Sequence, residues 1–518
     1  MLKNPYFSFK VTKMELRTCR TCTDLCGLLL LLFPGEGLKY GLKVGGREST
    51  ADPNPRLWKE EFTVTHDMTT GSPLKNILRF CAPLLIGNLF QQFYNLADSI
   101  LVGRILGLNS FAALGATGAL NFLILGFATG ACSGLAIPIA QSFGAGDMES
   151  VRRRTAQLVW LGFGITAVIR LICFFWTDDL LRLMNTPPEI MEEANRYIFI
   201  VFMGVGATML YNLSSAVLRS LGDSRTPLHF LIAAVVINVF LDILLMKYLR
   251  FGVEGAAWAT VLSQLLSGVA CLVYMAKKVP VLNLHHADLK PDFRRMAFMA
   301  AIGLPMGLQF AITAVGSIIL QGAVNGLGAQ AVAAVSAATR VHNIVVAPLE
   351  TCGIAMATYC GQNLGAGQYD RIRRGVWSTM AAASIYCAAA FLVNYSLGKS
   401  IATLFVSRSE VLILQDVQRY LTTVGAFYPL LAVIFIFRNG LQGMGFSNQA
   451  MMAGVSELIA RVLVSFGLVG KLGFTAVCFA NPSAWLFADA VLLMLYFREM
   501  RRLAPLDAKA LRRKTAKA

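Results

Sequence analysis

Charged residues are scarce in this chain of 518 residues, because Asp, Glu, Lys and Arg together make up 14% while hydrophobic residues make up 56%. The mean hydropathy is +0.59. A soluble protein of this size needs far more polar side chains to cover its surface. The composition therefore excludes an ordinary soluble protein and predicts an integral membrane protein.

Enzyme signatures are also missing. The sequence contains neither HExxH nor GxSxG, the motifs of zinc proteases and serine hydrolases. Gly398-Lys399-Ser400 resembles the end of a phosphate-binding loop, but Val393 stands where that loop requires its first glycine. We therefore expect a transporter rather than an enzyme, with no ATP site and no cofactor.

The first 67 residues differ from the rest of the chain in being polar and uneven. They contain Cys19, Cys22 and Cys26, but no second pair of ligands follows at a zinc-binding spacing, so we predict no metal site there. Met68 opens a short polar lead into the first apolar segment. We therefore expect residues 1–67 to reflect an upstream start-site error, with a genuine disordered tail as the alternative.

Apolar segments of roughly 20 residues or more recur from about residue 76 onward. Each is long enough to cross the ~30 Å hydrocarbon core of a bilayer as a helix. We predict an all-α integral membrane fold with twelve spans. Their expected positions are 76–101, 113–141, 155–176, 195–217, 228–249, 255–277, 297–322, 332–361, 376–398, 418–440, 450–470 and 474–497.

Two stretches 221 residues apart nearly repeat each other: QSFGAGDMESVRR at 141–153 and QNLGAGQYDRIRR at 362–374. Paired halves in a membrane chain are typical of transporters, with the substrate path between them. We therefore predict two pseudo-symmetric six-helix lobes, at 68–280 and 297–500. A cytoplasmic linker at 281–296, expected to be solvated, joins them, and a basic tail occupies 501–518.

The net charge of +17 does not indicate nucleic-acid binding, because the basic residues lie in alternate loops and in the tail. Arg219, near the end of the fourth span, is one of them. This distribution follows the positive-inside rule. We therefore predict no nucleic-acid partner and a multi-pass protein of the cell's inner (cytoplasmic) membrane, with both termini in the cytoplasm.

Polar residues within spans are costly unless they face a cavity or a partner. The first span carries a stripe of them on one helical face, one every three or four residues. Hydrogen bonding between helices explains the amides equally well, whereas a carboxylate favours a function. The stripe consists of Asn88, Gln91 or Gln92, Asn95 and Asp98.

The fifth span supplies Asn238 and Asp242, one helical turn apart, and the sixth supplies Thr260. With Asp98 they offer two carboxylates, an amide oxygen and a hydroxyl, which suit a hard cation such as Na⁺. A proton carried by one carboxyl is the alternative. Both coupling ions, H⁺ and Na⁺, remain open.

Further polar and aromatic residues are candidates for a substrate path. Gln309 and Thr313 begin a polar stripe in the seventh span, and Glu350 follows Pro348 in the eighth. Helix packing explains the stripe nearly as well. The roles of Arg340 and His342 stay open. The candidate path residues are Gln91, Asn95, Tyr211, Gln309, Thr313 and Glu350.

Several further stretches carry a family resemblance: YNLADSILVGR at 94–104, LRSLGDSRTP at 218–227, INVFLDILLM at 237–246, GVEGAAWATVLSQ at 252–264 and LQGMGFSN at 441–448. With the two GAG loops they resemble the multidrug and toxic compound extrusion (MATE) antiporters, across about residues 74–500. The resemblance implies two rocking lobes that export small organic cations in exchange for H⁺ or Na⁺. It assigns the family's first-lobe cation site to Asp98, Asn238, Asp242 and Thr260.

The sequence also departs from the family, since some branches place an essential Glu in the seventh span, where this chain has only Gln309. We therefore do not expect a carboxylate mechanism in the second lobe. One alternative is a flippase for a lipid-linked precursor from the same broader superfamily, which would need more cationic residues than the amides, aromatics and acids expected in this interior. A channel or receptor is the other. We expect the protein to work as a monomer.

Overall fold

The computed structural model describes residues 67–184, 186–285 and 287–515. The N-terminal segment with Cys19, Cys22 and Cys26 therefore lies outside the described residues. Within the described residues the chain is helical and contains no strand. This agrees with the all-α class predicted from the sequence.

The first lobe contains six spans, numbered here in chain order. Span 1 is α1 (Pro73–Ile105), and span 2 joins α2 (Leu108–Leu135) to α3 (Ile137–Ala145). Span 3 is α4 (Met148–Leu183), and span 4 joins α5 (Pro188–Met203) to α6 (Val205–Ser220). Span 5 is α7 (Arg225–Asp242) with a π-helical turn (Ile243–Tyr248), and span 6 is α8 (Val253–Lys278).

The second lobe follows a short 3₁₀ turn (Pro280–Leu282). Spans 7, 8 and 9 are α9 (Phe293–Asn325), α10 (Ala329–Gly365) and α11 (Tyr369–Ala402). Span 10 consists of α12 (Val411–Ala426), α13 (Tyr428–Val433), a π-helical turn (Ile434–Arg438) and α14 (Asn439–Gly443). Span 11 is α15 (Ser447–Gly467), and after the short α16 (Val469–Leu472) span 12 is α17 (Phe474–Thr515), which continues through most of the expected tail.

Length and hydropathy support the twelve spans. In the described part of the chain, nine helical segments are long and apolar enough to cross a membrane, and two bent helix pairs pass the same test together. The remaining span is α1, whose 33 residues correspond to about 50 Å of helix. Its mean hydropathy is reduced by the polar stripe that runs through it.

Spans 4 and 10 are broken, which the sequence analysis did not predict. They bend by 44° and 53°, at Gly204 and Phe427. By contrast, Pro83 and Pro305 lie inside the continuous helices α1 and α9. Proline is tolerated there because its missing hydrogen bond costs a kink rather than a chain break.

The duplication is visible in the backbone. Glycines with positive φ occur in pairs at nearly the repeat spacing, and glycine adopts this conformation more readily than other residues. The pairs include both GAG loops, which therefore form tight turns, as expected. The paired residues are Gly107 and Gly328, Gly146 and Gly367, Gly222 and Gly445, and Gly252 and Gly473.

The two lobes pack closely at the end that carries the GAG turns. A Cβ on Gly134 of α2 would lie 2.7 Å from the Cα of Gly303 of α9. Gly144 of α3 and Gly365 of α10 also leave no room for a Cβ, because a backbone carbonyl of the opposite helix occupies that position. Small residues allow such close helix contacts in membranes.

Spans 2 and 7 each have a glycine with open space beside it further from the GAG end. A Cβ on Gly118 of α2 or Gly322 of α9 would meet no atom of the described residues within 4 Å. The lobes are therefore in close contact at the GAG end, whereas these two glycine positions are not packed against a neighbour.

The linker between the lobes is fastened to span 3 rather than solvated. Asp288 is buried and accepts a hydrogen bond from Nε of Arg152 at 2.5 Å, and Trp160 donates to the backbone carbonyl of Leu289 at 2.8 Å. Burial raises the pKa of Asp288, but the backbone N–H of His285 and the Arg152 guanidinium outweigh it and lower that pKa overall. This docking is not predictable from the sequence, because its donors lie more than 120 residues earlier in the chain.

Candidate cation site and central cavity

Two carboxyl groups meet in the core of the first lobe. Asp98 of α1 is 7% exposed and Asp242, the last residue of α7, is 0% exposed. They are close enough to share a hydrogen bond when one of them is protonated. No described residue donates a hydrogen bond to Oδ1 of Asp98 or to either carboxylate oxygen of Asp242.

Asn238 extends this cluster by one helical turn. It is 1% exposed, and neither its amide nitrogen nor its amide oxygen has a partner among the described residues. Each buried polar group without a partner costs about 1–3 kcal/mol. The cluster therefore has oxygen atoms that a bound cation or proton would satisfy.

Thr260 joins the cluster through a tyrosine. Its hydroxyl lies 3.0 Å from the hydroxyl of Tyr94, one turn before Asp98 on α1. Tyr94 and Tyr197 both interact electrostatically with the two carboxyls. The structure thus brings Asp98, Asp242 and Thr260 into one region and adds two tyrosines.

The sequence analysis did not assign the two tyrosines to this site. For Tyr94 a signal was available, since it precedes Asp98 by four residues and so lies on the same helical face. Tyr197 gave no such signal, because only the packing of α5 against the other helices brings it near.

A π-helical turn follows Asp242 directly. Such turns are rare and often occur at functional sites. A second π-helical turn ends at Arg438 in span 10. Each lobe therefore has a charged residue at or beside a π-helical turn.

A cavity of about 320 Å³ lies between the lobes, walled by spans 1, 2, 4 and 5 on one side and by spans 7, 8 and 10 on the other. Asn95 and Thr313 are not among its walls, and the Thr313 hydroxyl donates to the backbone carbonyl of Gln309 at 3.0 Å. Four of the six candidate path residues line the cavity: Gln91, Tyr211, Gln309 and Glu350.

Two arginines also line the cavity, Arg219 from the first lobe and Arg438 from the second. The sequence predicts an interior of mainly amides, aromatics and acids, and the structure adds these two cationic residues to it. Arg219 lies inside the last turn of α6, before the turn at Gly222. Side chains on a helix lean toward its N-terminus, so this arginine reaches back into the cavity instead of out into the loop.

Arg438 belongs to a network of charges in the second lobe. Glu457, 3% exposed, lies 3.4 Å from Arg438 and 3.3 Å from Arg461. The amide of Gln309 lies 3.1 Å from Arg438 and 2.5 Å from the Gln442 amide nitrogen. The sequence signal was the i, i+4 pair Glu457 and Arg461 inside one apolar span, which the sequence analysis missed.

Asp489 of span 12 is a further buried acid in the second lobe. It is 4% exposed, neither carboxylate oxygen has a described partner, and it interacts electrostatically with Glu457. The second lobe therefore contains buried carboxyls, although Gln309 replaces the acid that some branches of the family have in span 7.

The other polar residues of span 8 are separated from one another. The Arg340 guanidinium lies over the Phe405 ring, 5.8 Å from its centroid, and Nδ1 of His342 lies 3.2 Å from the Tyr428 hydroxyl. Glu350 faces the cavity and interacts electrostatically with Arg438.

The cation cluster and the cavity share two helices. On α1, Asn88 and Gln91 line the cavity, and Asp98 follows within three turns. On α7, Leu231 lines the cavity and Asp242 ends the helix. A movement of α1 or α7 therefore changes both the cation cluster and the cavity.

Two repeated six-span lobes with a cavity between them define a membrane transporter. The MatE family model matches residues 83–244 and again residues 305–466, one match in each lobe and more than half of the chain in total. The chain belongs to the MATE family of multi-pass membrane transporters. Both the family and the duplication predicted from the sequence are confirmed.

Known proteins agree with this assignment. "Probable multidrug resistance protein YpnP" of Bacillus subtilis is 29% identical over 423 residues, 81% of this chain and 91% of that protein. An "FAD transporter" of Shewanella oneidensis is 22% identical over 395 residues, 75% of this chain and 86% of that protein. A solved "Outward-facing conformation of a multidrug resistance MATE family transporter" is 23% identical, with a TM-score of 0.79 over 85% of this chain and 99% of that chain.

Proposed function

We propose that this protein is a secondary antiporter that exports small organic cations, in exchange for H⁺ or Na⁺ bound at Asp98 and Asp242. One observation carries the proposal: two buried carboxyls, for which the described residues supply no basic partner, lie on helices that also wall the central cavity. A buried carboxylate without a counter-ion is costly. A transported cation is a natural ligand for such a site.

Either coupling ion fits the chemistry of the site. Two adjoining carboxylates repel each other, and one bound proton or one Na⁺ removes that repulsion. For Na⁺, the carboxylates and the amide oxygen of Asn238 are suitable hard ligands. In both cases the ion stabilises one arrangement of α1 and α7.

Exchange follows if cargo and ion stabilise different arrangements of the lobes. A ligand shifts a conformational equilibrium only by its difference in affinity for the two states. Cargo in the cavity touches α1 and α7, the helices that hold the ion site. We place the protein in the cytoplasmic membrane as a monomer, with the GAG end and both termini in the cytoplasm.

A gradient experiment tests this proposal. Everted membrane vesicles that contain the protein receive a pH gradient or a Na⁺ gradient, and ethidium uptake is followed by fluorescence. Native protein takes up dye with one of the gradients, and Asp98→Asn abolishes that uptake. The matched control is Asp178→Asn, because Asp178 is an exposed acid paired with Arg182 at 2.8 Å. Equal uptake by native protein and Asp98→Asn would contradict the proposal.

The flippase of the same superfamily is the second candidate, and the cavity arginines favour it. The cavity volume favours a drug-sized cargo, because about 320 Å³ lies at the lower end of small-molecule sites. Folded native protein that moves no dye under either gradient would favour the flippase.

A further inference from the structure

The two cavity arginines differ in their surroundings. Arg438 has Glu457 at 3.4 Å and interacts with Glu350. Arg219 is half-buried and has no hydrogen bond or ion pair with any described residue, and the titratable side chains with which it interacts are Tyr211, Cys132 and Cys271. Arg219 is thus the cavity arginine that lacks a carboxylate.

The acid nearest to Arg219 in sequence is Asp223, which uses one carboxylate oxygen for backbone hydrogen bonds and whose other oxygen has no described partner. Oδ1 of Asp223 accepts hydrogen bonds from the backbone N–H groups of Arg225 and Thr226, both at 3.0 Å, and so caps the start of α7. No salt bridge joins Asp223 to Arg219 within the described residues. The charge of Arg219 is therefore available to a molecule in the cavity.

The opposite wall carries the complementary charge. Glu350 of α10 is exposed to the cavity, and no described residue forms a hydrogen bond or salt bridge with it. Arg438 of the same wall already has Glu457 beside it. The cavity therefore presents an unpaired guanidinium on the first lobe and the Glu350 carboxylate on the second. An organic cation alone would satisfy Glu350 and leave Arg219 unpaired.

We propose that the preferred cargo is zwitterionic, with a carboxylate that pairs with Arg219 and a cationic group that faces Glu350. The guanidinium offers a planar fork of donors that matches a carboxylate. The inference rests on the proposed export function and specifies the chemical class of its cargo. Because the two charges lie on opposite lobes, such a cargo bridges them.

Two dyes that differ in one group test this inference. Rhodamine B carries a free carboxylate beside its cationic ring system, and rhodamine B ethyl ester has the same rings without the anion. Their affinities for purified protein in detergent are measured by fluorescence anisotropy, with no gradient. Native protein binds rhodamine B about tenfold more tightly than the ester, as expected for one charge-assisted pair.

Dye affinities of three variants show which side chain pairs with the carboxylate of rhodamine B. Arg219→Gln lowers the affinity for rhodamine B about tenfold and changes that for the ester less than about twofold. Arg219→Lys keeps the positive charge and so retains part of the preference for rhodamine B over the ester. It is measured in place of Arg219→Gln if that variant does not fold. Glu350→Gln lowers the affinity for both dyes by the same factor, because both carry the cationic ring system. The matched control is Arg225→Gln, because Arg225 is an exposed arginine outside the cavity walls and its loss leaves both affinities unchanged.

The outcomes separate this inference from the export function. Equal affinity of native protein for the two dyes, or equal losses for both dyes in Arg219→Gln, overturns the zwitterion and leaves ion-coupled export standing. If native protein binds rhodamine B more tightly than the ester but neither gradient drives dye uptake, the pairing with Arg219 is supported and antiport is contradicted. Binding of neither dye to folded protein overturns the zwitterionic cargo, and the ethidium gradient experiment then decides the export function separately.

Discussion

The two lobes share one architecture but differ in the surroundings of one buried acidic cluster each. Among the described residues, Asp98 and Asp242 of the first lobe have no basic partner, whereas Glu457 of the second lobe lies between two arginines, although Asp489, which interacts with Glu457, has no partner of its own. The family matches begin at residues 83 and 305 and so set the correspondence between lobes. At that spacing Asp98, Asn238 and Asp242 correspond to the apolar residues Leu320, Ala460 and Val464.

This difference shows how a duplicated scaffold acquires two roles. An unpaired buried acid needs an external cation, whereas an acid held by arginines is already neutralised. We propose that ion exchange belongs to Asp98 and Asp242 rather than to Asp489, because those two carboxyls lie together on helices that wall the cavity, whereas span 12 contributes none of the described wall residues. The charge network of the second lobe holds spans 10 and 11 together and sets the charge of the cavity wall.

The largest expected effect is on the second-lobe network. Glu457→Gln leaves Arg438 and Arg461 buried without their shared counter-ion, which lowers the free energy of unfolding by about 3–5 kcal/mol. Denaturant unfolding in detergent measures it. Asp242→Asn is the matching change in the first lobe. It leaves no described basic residue without a counter-ion, so it lowers the free energy of unfolding by less than about 1 kcal/mol. Similar losses in both variants would remove the contrast between the lobes.

The next effect is on transport. Asp242→Asn removes one of the two carboxyls, so uptake of dye driven by the ion gradient falls by at least about tenfold, equivalent to about 1.4 kcal/mol. Dye binding, measured without a gradient and at a concentration of the coupling ion too low to occupy the site, stays within about twofold of native. If binding and transport fell together, Asp242 would belong to the cargo site rather than to an ion site.

A substitution that disturbs the close contact at the GAG end has a smaller expected effect. Gly144→Ala places a methyl group against a backbone carbonyl of α10 and disfavours closure of this end by about 1–3 kcal/mol. Distances between spin labels on spans 2 and 8 report the shift toward an open end. Gly164→Ala is the control, because its Cβ meets no described atom within 4 Å. Unchanged distances in Gly144→Ala would show that this contact does not determine closure.

The smallest effect concerns the linker that joins the lobes. Because the pKa of Asp288 is lowered in the folded protein, its contribution is complete above the ordinary aspartate pKa of about 4 and is lost as pH falls through the lowered value. Asp288→Asn therefore reduces stability by about 1 kcal/mol at pH 7 and by progressively less below about pH 4. A difference that stays constant with pH would contradict a charged Asp288.

Apolar periodicity and isolated acids account for what the sequence could predict. Apart from the C-terminal end of span 12, whose helix continues to Thr515 instead of ending near residue 497, the observed spans begin and end within several residues of those predicted, because hydrocarbon thickness sets their length. Asp98 and Asp242 were recognisable because an acid in an apolar run is rarely structural. The symmetry of the lobes followed from the repeated GAG loops.

Other features depend on tertiary packing and gave weaker signals. Arg219 was read as a loop residue, since its place in the cavity depends on the direction of its side chain at the end of α6. Asp489 meets Glu457 only after spans 11 and 12 pack together. The breaks in spans 4 and 10 lie within continuous apolar sequence, so hydropathy alone does not reveal them.

The most direct test of the central claim is whether ion and cargo exclude each other through the first-lobe carboxyls. The dissociation constant of ethidium is measured on purified protein across a range of pH and of Na⁺ concentration, for native protein and for Asp242→Asn. We predict that one of the two ions weakens ethidium binding to native protein by about tenfold, a coupling of about 1.4 kcal/mol, and has no effect on the variant. Native protein whose ethidium affinity depends on neither ion would contradict antiport through this site.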